Sequence, residues 1–239
     1  MRWCVRWCLR VGLSWALVVH PAHAADVAPP PDSMAARTLA CVACHGREGR
    51  AAPDGYYPRI AGKPDGYLYQ QLLNFRDGRR SYPAMAHLLQ QLSDDYLREI
   101  AGYFSALDLP YAQPGAPQAP AALLAHGLAL ARQGDAARAI PACVQCHGER
   151  LTGAGRFIPG LLGLPRDYLA AQLGAWQQGQ RRARAPDCMA RIAARLTMRD
   201  VSALAAWLAS QRLPADPGAA PALVGPLPLA CGAVRPQAH

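Results

Sequence analysis

Hydrophobic side chains recur at helical spacing along most of this chain, and no segment shows the sustained alternation that is typical of strands. Residues 65–77 and 166–178 are each predicted to form a helix that a glycine ends. Further helices are predicted to begin near Ser93 and Thr197, because both residues cap helix starts well and apolar stripes follow them. The stripes consist of Leu97, Ile100, Ala101 and Phe104, and of Val201, Leu204, Ala205 and Leu208. The pattern therefore predicts an all-α fold.

The helical pattern occurs twice in the chain. Tyr67 matches Tyr168 at an offset of 101 residues, and after a short insertion Met85 matches Met189 at an offset of 104. Such agreement over a whole domain length indicates duplication of one unit. The predicted organisation is a domain over residues 25–107, a proline-rich linker over 108–120, a second domain over 121–213 and a Pro/Ala-rich tail over 214–239. The tail either packs as an extended strap or stays partly unstructured.

A first short helix is predicted in each unit, over residues 33–44 and about 139–146, and each carries the pentapeptide Cys-x-x-Cys-His. The two copies are Cys41-Val-Ala-Cys44-His45 and Cys143-Val-Gln-Cys146-His147. This pentapeptide is the attachment signature of c-type haem, in which two thiols bind one porphyrin covalently. A zinc site would need four ligands and a thioredoxin-like motif would need a βαβ unit, and neither context is present. We therefore predict two covalently bound haem c groups.

The axial ligands of the two irons are predicted from the same repeat. His45 and His147 can each reach an iron from one side. Met85 and Met189 lie 40 and 42 residues after these histidines and are predicted to bind from the other side. A thioether is a soft, neutral donor, and His/Met ligation raises the reduction potential of haem. The weaker competitors are Met34, which precedes the haem motif, and Met198, which begins a helix.

Cys188 complicates the second site because it directly precedes Met189. A thiolate would bind iron strongly and lower its potential. Ligation by Met189 ranks first, a disulfide or an idle thiol at Cys188 ranks second, and ligation by Cys188 ranks third. Cys4 and Cys8 lie in the predicted signal peptide, so Cys231 is the other cysteine that the haem motifs leave unused in the mature chain. A bridge between Cys188 and Cys231 is as well supported as two free thiols.

Residues around the predicted ligands have candidate supporting roles. Pro58 and Pro159 follow their histidines by 13 and 12 residues. Each proline carbonyl either accepts the second ring N–H of its histidine, which would orient the ring, or belongs to an ordinary turn. Four arginines precede the methionines, namely Arg79, Arg80, Arg181 and Arg182. They either contact haem propionates, ring the exposed haem edge for docking, or form a solvated run of charge.

Residues 1–24 are predicted to be a secretory signal peptide. They carry three arginines, a short apolar core over residues 11–19 and a small-x-small cleavage site that ends at Ala24. The apolar core is too short to span a bilayer comfortably, so cleavage after about Ala24 is favoured over anchoring. The predicted location of the mature chain is the periplasm.

The charge of the chain is uneven. Residues 25–113 hold 9 basic and 10 acidic side chains, whereas residues 114–239 hold 13 basic and 6 acidic side chains. The positive second half favours docking on acidic partners or peripheral association with anionic lipid head groups, although a general preference for arginine codons would give the same bias. No nucleic-acid partner is expected, because the chain is predicted to be exported and carries no recognition motif.

Together these residues resemble the cytochrome c4 family of periplasmic dihaem class I cytochromes, over residues 33–211. The likeness rests on the two haem motifs, the paired methionines, and the turns from Pro58 to Gly62 and from Pro159 to Gly163. The resemblance implies two tandem cytochrome c folds, each a few helices around a haem, that face each other across a pseudo-twofold interface. The departures from the family pattern are Cys188, the Thr197-Met198 helix start and the long tail with Cys231.

The resemblance implies transfer of single electrons between redox proteins, such as a dehydrogenase and a terminal oxidase, and no enzymatic activity of the chain's own. Two alternatives remain open at this point. The chain could be the cytochrome c subunit of a multisubunit dehydrogenase of the flavocytochrome kind. It could also be a dihaem enzyme. The thiosulfate dehydrogenase type would use Cys188 as a haem ligand, and the peroxidase type would need one haem with a vacant or easily vacated position.

Overall fold

The computed structural model describes residues 32–52, 55–115 and 118–234, so the predicted signal peptide lies outside the described residues. The first half contains α1 (Met34–Arg37), α2 (Leu39–His45), α3 (Asp65–Arg76), α4 (Pro83–Leu89) and α5 (Asp94–Ser105). The second half contains α6 (Ala121–Gln133), α7 (Val144–His147), β1 (Gly153–Ala154), β2 (Ile158–Pro159), α8 (Arg166–Gln177), α9 (Cys188–Ala193) and α10 (Met198–Ser210). Short 3-10 turns occur at Arg47–Gly49, Ala136–Arg138 and Gly232–Val234.

The helices that the hydrophobic pattern predicts are present. Helices α3 and α8 occupy the two predicted segments, and both end one residue earlier than predicted. Ser93 and Thr197 are the N-caps of α5 and α10, and the side chain of each accepts a hydrogen bond from the helix backbone. The only strands among the described residues, β1 and β2, form a small antiparallel hairpin, in which Gly153 pairs with Pro159. The all-α prediction is therefore confirmed.

The predicted haem-motif helices are partly wrong. The helix predicted over 33–44 divides into α1 and α2 at Thr38, and α2 continues to His45. The helix predicted over about 139–146 forms only from Val144. Ala139 adopts a left-handed conformation with φ of 50°, and Pro141 disfavours helical backbone at the residue before it. The chain is thus kept out of the helix until it reaches the motif itself.

Helix α6 is not predicted by the hydrophobic pattern, although it is among the longest helices of the described chain. It begins at Ala121, where the proline-rich linker ends, and no side chain caps it. It packs closely on α10, because a Cβ atom at Gly127 would collide with the backbone of Ala203. This close contact holds α6 against α10 within the second half.

Each half has its own buried cluster. The first is formed mainly by α3 and α5, and Leu97 and Phe104 are among its least exposed residues. The second is formed mainly by α6, α8 and α10, around Leu204, Trp207 and Leu208. No described helix is both long enough and apolar enough to cross a bilayer.

A buried carboxylate braces the second half. The Asp200 side chain is 3% exposed and lies 2.6 Å from Arg138 Nη1 and 2.7 Å from His126 Nε2. It also closes the capping box of α10 by accepting the backbone N–H of Thr197 at 2.8 Å. Burial alone would raise the pKa of Asp200, but the hydrogen bonds from Arg138, Thr197 and His126 outweigh burial and hold that pKa well below its usual range.

We expect Asp200→Asn to lower the free energy of unfolding by about 2–3 kcal/mol, because it removes the buried charge that Arg138 faces. The folded-state pKa lies below the unfolded value of about 3.9. The stabilisation is therefore present above that pH and is lost as the pH falls through the folded pKa. Urea unfolding at pH 7 tests the first expectation. A series extended below pH 4, where the difference between wild type and variant should begin to shrink, tests the second. Asp95→Asn is the control, since the Asp95 side chain is 92% exposed and its ion pair with Arg98 should contribute little.

Candidate functional site

Both motif histidines are held by a carbonyl oxygen. His45 Nδ1 lies 2.8 Å from the oxygen of Pro58, and His147 Nδ1 lies 2.8 Å from the oxygen of Pro159. The ring N–H at Nδ1 donates to the carbonyl, which leaves the Nε2 lone pair of each ring available to a metal. The same hydrogen bond thus occurs at the same place in both halves.

The two imidazoles are also buried, since each histidine is 8% exposed. Burial lowers the pKa of both rings, and the proline carbonyls only partly oppose this. At His45 the nearby charge of Arg80 lowers the pKa further. Both rings are therefore neutral at physiological pH, which is the form that binds iron.

Glycines close the backbone directly after each motif, and sequence reasoning did not single them out. Gly46 and Gly148 have φ of 75° and 81°. A Cβ atom at Gly46 would overlap the carbonyl oxygen of Ala51, and one at Gly148 would lie 2.9 Å from the oxygen of Gly153. The chain turns back tightly behind each histidine, and a positive φ together with a close backbone approach requires glycine at these positions.

The four motif cysteines are half-buried, and none of them forms a disulfide. Burial raises the pKa of Cys143 to about 11, and it also raises the pKa of Cys41 and Cys146. Within the described part of the chain, no group of three or more His, Cys, Asp and Glu side chains could hold a metal ion by itself. The four-ligand zinc alternative therefore does not form there.

The predicted methionine ligands occupy equivalent helices. Met85 lies in α4 and Met189 in α9, and both side chains are half-buried. Met198 is 75% exposed at the start of α10, which makes it a poor competitor. Cys188 is bonded to Cys231 at an S–S distance of 2.00 Å, so it offers no thiol to a metal. The disulfide decides the state of Cys188, while ligation of the second iron by Met189 stays a prediction.

The two halves meet through a pair of arginines in a symmetric network. Arg80 and Arg181 pair as an antiparallel bridge. Each guanidinium donates to the glutamine of its own half and to the glutamine and tyrosine of the other half. For Arg80 these acceptors are Gln71 at 2.9 Å, Gln172 at 2.6 Å and Tyr168 at 3.1 Å. For Arg181 they are Gln172 at 2.8 Å, Gln71 at 3.0 Å and Tyr67 at 3.4 Å.

The arginine pair is unusual because two positive charges, one half-buried at Arg80 and one buried at Arg181, share only neutral acceptors. Arg181 is 6% exposed, and among the described residues no carboxylate lies within ion-pair distance of it or of Arg80. Burial, and then the Arg80 charge, lower the pKa of Arg181. Buried charges without a counterion are costly, so this interface is suited to an anionic group.

The solvated alternative for the arginine run is therefore wrong for this central pair. Each of the two guanidiniums stacks on an aromatic ring of its own half, Arg80 on Phe75 at 4.4 Å and Arg181 on Trp176 at 3.8 Å. The flanking arginines differ, since Arg79 pairs with Asp77 and Arg182 is exposed. Trp176 adds an asymmetry: its Nε1 is buried and has no hydrogen-bond partner among the described residues, and Phe75 offers no such donor.

Known proteins resemble this chain over most of its length. It is 38% identical over 201 residues to a thiosulfate dehydrogenase electron acceptor of Thiomonas intermedia, covering 84% of this chain and 87% of the relative. It is 35% identical over 191 residues to cytochrome c4 of Pseudomonas aeruginosa, covering 78% of this chain and 90% of the relative. No protein-family model matches the chain.

The solved structures agree with the sequence relatives. Reduced recombinant cytochrome c4 from Pseudomonas stutzeri superposes with a TM-score of 0.62 at 30% identity, covering 73% of this chain and 95% of the other. The two halves, each with its Cys-x-x-Cys-His motif, are thus arranged in a fold already known from dihaem proteins. The chain belongs to the cytochrome c4 family, whose members are periplasmic dihaem c-type cytochromes that transfer electrons.

Proposed function

We propose that this protein carries single electrons in the periplasm from a dehydrogenase to an acceptor such as a terminal oxidase. The observation that carries the proposal is the repeated histidine site, in which each ring donates from Nδ1 to a proline carbonyl 2.8 Å away. Two such sites in one chain would hold two haems, between which an electron can pass. The T. intermedia relative, named as an acceptor for thiosulfate dehydrogenase, favours a dehydrogenase as the donor.

Each half binds one haem through its own residues. Cys41 and Cys44, and likewise Cys143 and Cys146, would attach the porphyrin, while one histidine and one methionine of each half would hold its iron. These ligands are His45 with Met85 and His147 with Met189. The haem supplies the reversible Fe(III)/Fe(II) couple. The protein's contribution is to keep each imidazole neutral and oriented and to exclude water from the ring.

The central arginines and Trp176 fit the haem propionates. A propionate is a carboxylate, and Arg80 and Arg181 lack a carboxylate partner in the described chain. The unpartnered Nε1 of Trp176 provides a further donor in the second half. Propionates at this interface would supply the negative charge that the two guanidiniums require, and they would join the two haem sites electrostatically.

The enzymatic alternative is less well supported. Its thiosulfate dehydrogenase form depended on Cys188 as an iron ligand, and Cys188 is engaged in the disulfide with Cys231. Its peroxidase form needs a vacant position at one iron, which the proposed methionine ligands would fill. If a histidine and a methionine of this chain hold each iron, no position would remain for a substrate, and the bound haem would supply outer-sphere electron transfer. We therefore propose no catalytic residue in this chain.

Mixing the oxidised holoprotein with a thiosulfate dehydrogenase and thiosulfate tests the relay. Both haems should be reduced, as followed by visible absorption in a stopped-flow instrument, and thiosulfate alone should reduce neither. Donation should then proceed to a purified periplasm-facing terminal oxidase. If the isolated protein oxidised thiosulfate with an artificial acceptor, the chain would be an enzyme, and the relay proposal would be wrong.

The arginine pair yields a prediction about potential. Arg181→Gln removes a buried positive charge that favours the ferrous state, so the haem potentials should fall by about 60 mV for each roughly 1.4 kcal/mol of lost interaction. A spectroelectrochemical titration measures the change. Arg182→Gln, which removes the neighbouring exposed charge, should have a much smaller effect because solvent screens it. Equal shifts in the two variants would contradict a role for the buried site.

A further inference from the structure

The described part of the tail, residues 214–234, forms a strap that runs along the second half and reaches the first. We call it the C-terminal strap. Near its start Ala220 joins the hairpin edge, since it donates to the oxygen of Gly153 at 3.0 Å and accepts from the N–H of Gly155 at 2.7 Å. The strap alternative for the tail is therefore confirmed over these residues.

The far end of the strap is fixed at the helix that carries Met189. Cys231 is bonded to Cys188, the first residue of α9, and the next N–H, at Gly232, donates to the oxygen of Pro186 at 2.9 Å. Gly232 is buried, and a Cβ atom there would collide with the carbonyl of Ala185. The strap thus packs tightly against the segment that immediately precedes the predicted ligand.

A side chain of the first half holds the same end of the strap. Gln70 of α3 is 7% exposed, and its Nε2 donates to the carbonyl oxygen of Ala233 at 2.8 Å. The residue at the equivalent position of the second repeat is Ala171, which has no such donor. The strap is therefore anchored at three places: the hairpin, the start of α9 and α3.

In the first half, a different contact holds the segment that precedes the predicted methionine ligand. By the repeat, Tyr82 is equivalent to Pro186, and Met85 to Met189. The Tyr82 hydroxyl lies 3.4 Å from the Tyr57 hydroxyl, a contact between the segment before α4 and the loop before the Pro58 carbonyl. The second repeat has no tyrosine at either equivalent position, since Ile158 stands where the first has Tyr57. The strap and its disulfide lie where the tyrosine contact is missing.

We propose that the C-terminal strap positions Met189 as the sixth ligand of the second haem. This inference rests on the proposed function, because it requires Met189 to bind iron. The strap connects Cys188, the residue before Met189, to the hairpin and to α3. The start of α9 is therefore already restricted before Met189 binds iron, so ligation costs less conformational entropy. Met85 does not depend on the strap. The two haems of one molecule thus differ in what holds the thioether in place.

The test uses the oxidised holoprotein with both cysteines replaced, Cys188→Ser with Cys231→Ser, so that no free thiol can bind iron. Imidazole competes with the thioether for ferric haem, and the shifted methyl resonances of the two ligand methionines in the NMR spectrum report each site separately. We expect imidazole to displace Met189 at about tenfold lower concentration than in the wild type, with Met85 unchanged. Tyr82→Phe is the matched variant, and it should weaken only Met85.

Four outcomes would overturn the proposal. Unchanged displacement at Met189, or an equal change at both methionines, would show that the strap has no specific effect on this ligand, while the electron relay would stand. Two alkylated thiols in the denatured, unreduced wild type would show that the disulfide is absent. A wild-type second haem without any methionine signal would remove the ligand itself, and this result alone would also contradict the axial ligation in the proposed function.

Discussion

A protein in which alanine replaces both Cys143 and Cys146 should mature with one covalent haem instead of two. Both thioether bonds of the second site are lost, whereas Cys41 and Cys44 remain in the first. The mass of the intact denatured protein, made with a working cytochrome c maturation system, measures the result directly. The mirror variant, with alanine at Cys41 and Cys44, should also carry one haem.

The loss of the second haem should also destabilise the fold of the second half. Cys143 and Val144 pack against the buried cluster around Leu204 and Trp207, and a bound porphyrin adds apolar area to such a small core. Helical circular dichroism should therefore fall relative to the wild type. Cys188→Ser with Cys231→Ser is the control, and it should keep both haems. Two haems in the Cys143/Cys146 variant would mean that these thiols do not attach the porphyrin.

The repeat allowed much of the fold to be predicted. Helical spacing and good N-caps identified the helices that follow each haem motif, because an apolar stripe that faces a core leaves a clear periodic signal. The periodic signal of helix α6 is weaker. Its sequence is rich in alanine and leucine on all sides, it has no side-chain cap, and it follows a proline-rich segment, so it could not be told from a continuation of the linker.

Site features were predictable where they are local in sequence. The His45 and His147 hydrogen bonds lie at a spacing that suggested them, because the proline follows in the same loop. The exchange of partners between Arg80 and Arg181 could not be deduced, since each guanidinium reaches residues about a hundred positions away in the other repeat. The Cys188–Cys231 disulfide was open for the same reason, because spacing along the chain does not show proximity in space.

The role of two glycines could not be predicted from the sequence either. Gly46 and Gly148 directly follow the histidines and are present in the sequence, yet their role emerges only from the backbone that approaches them. A positive φ and a neighbouring carbonyl within contact distance are three-dimensional facts. A repeat of glycine at the same place after both motifs is the sequence signal that could have identified them.

Methionine replacement should produce the second large effect. Met85→His and Met189→His each exchange a thioether for an imidazole, a stronger donor to ferric iron, so the potential of the altered haem should fall. We expect a decrease on the order of 0.2 V, a fraction of the roughly 0.8 V that axial ligands span. Because the two methionines serve separate irons, each variant should lower one potential and leave the other near its wild-type value.

A redox titration with spectra resolved for each haem measures both potentials in one experiment. Met198→His is the control, because Met198 is 75% exposed at the start of α10, and neither potential should change. The spectrum of the oxidised variant should also lose the methionine–iron charge-transfer band at one haem only. If Met189→His left both potentials unaltered while Met85→His lowered one, the second iron would have a different sixth ligand. The assignment of Met85, and with it relay through the first haem, would then still stand.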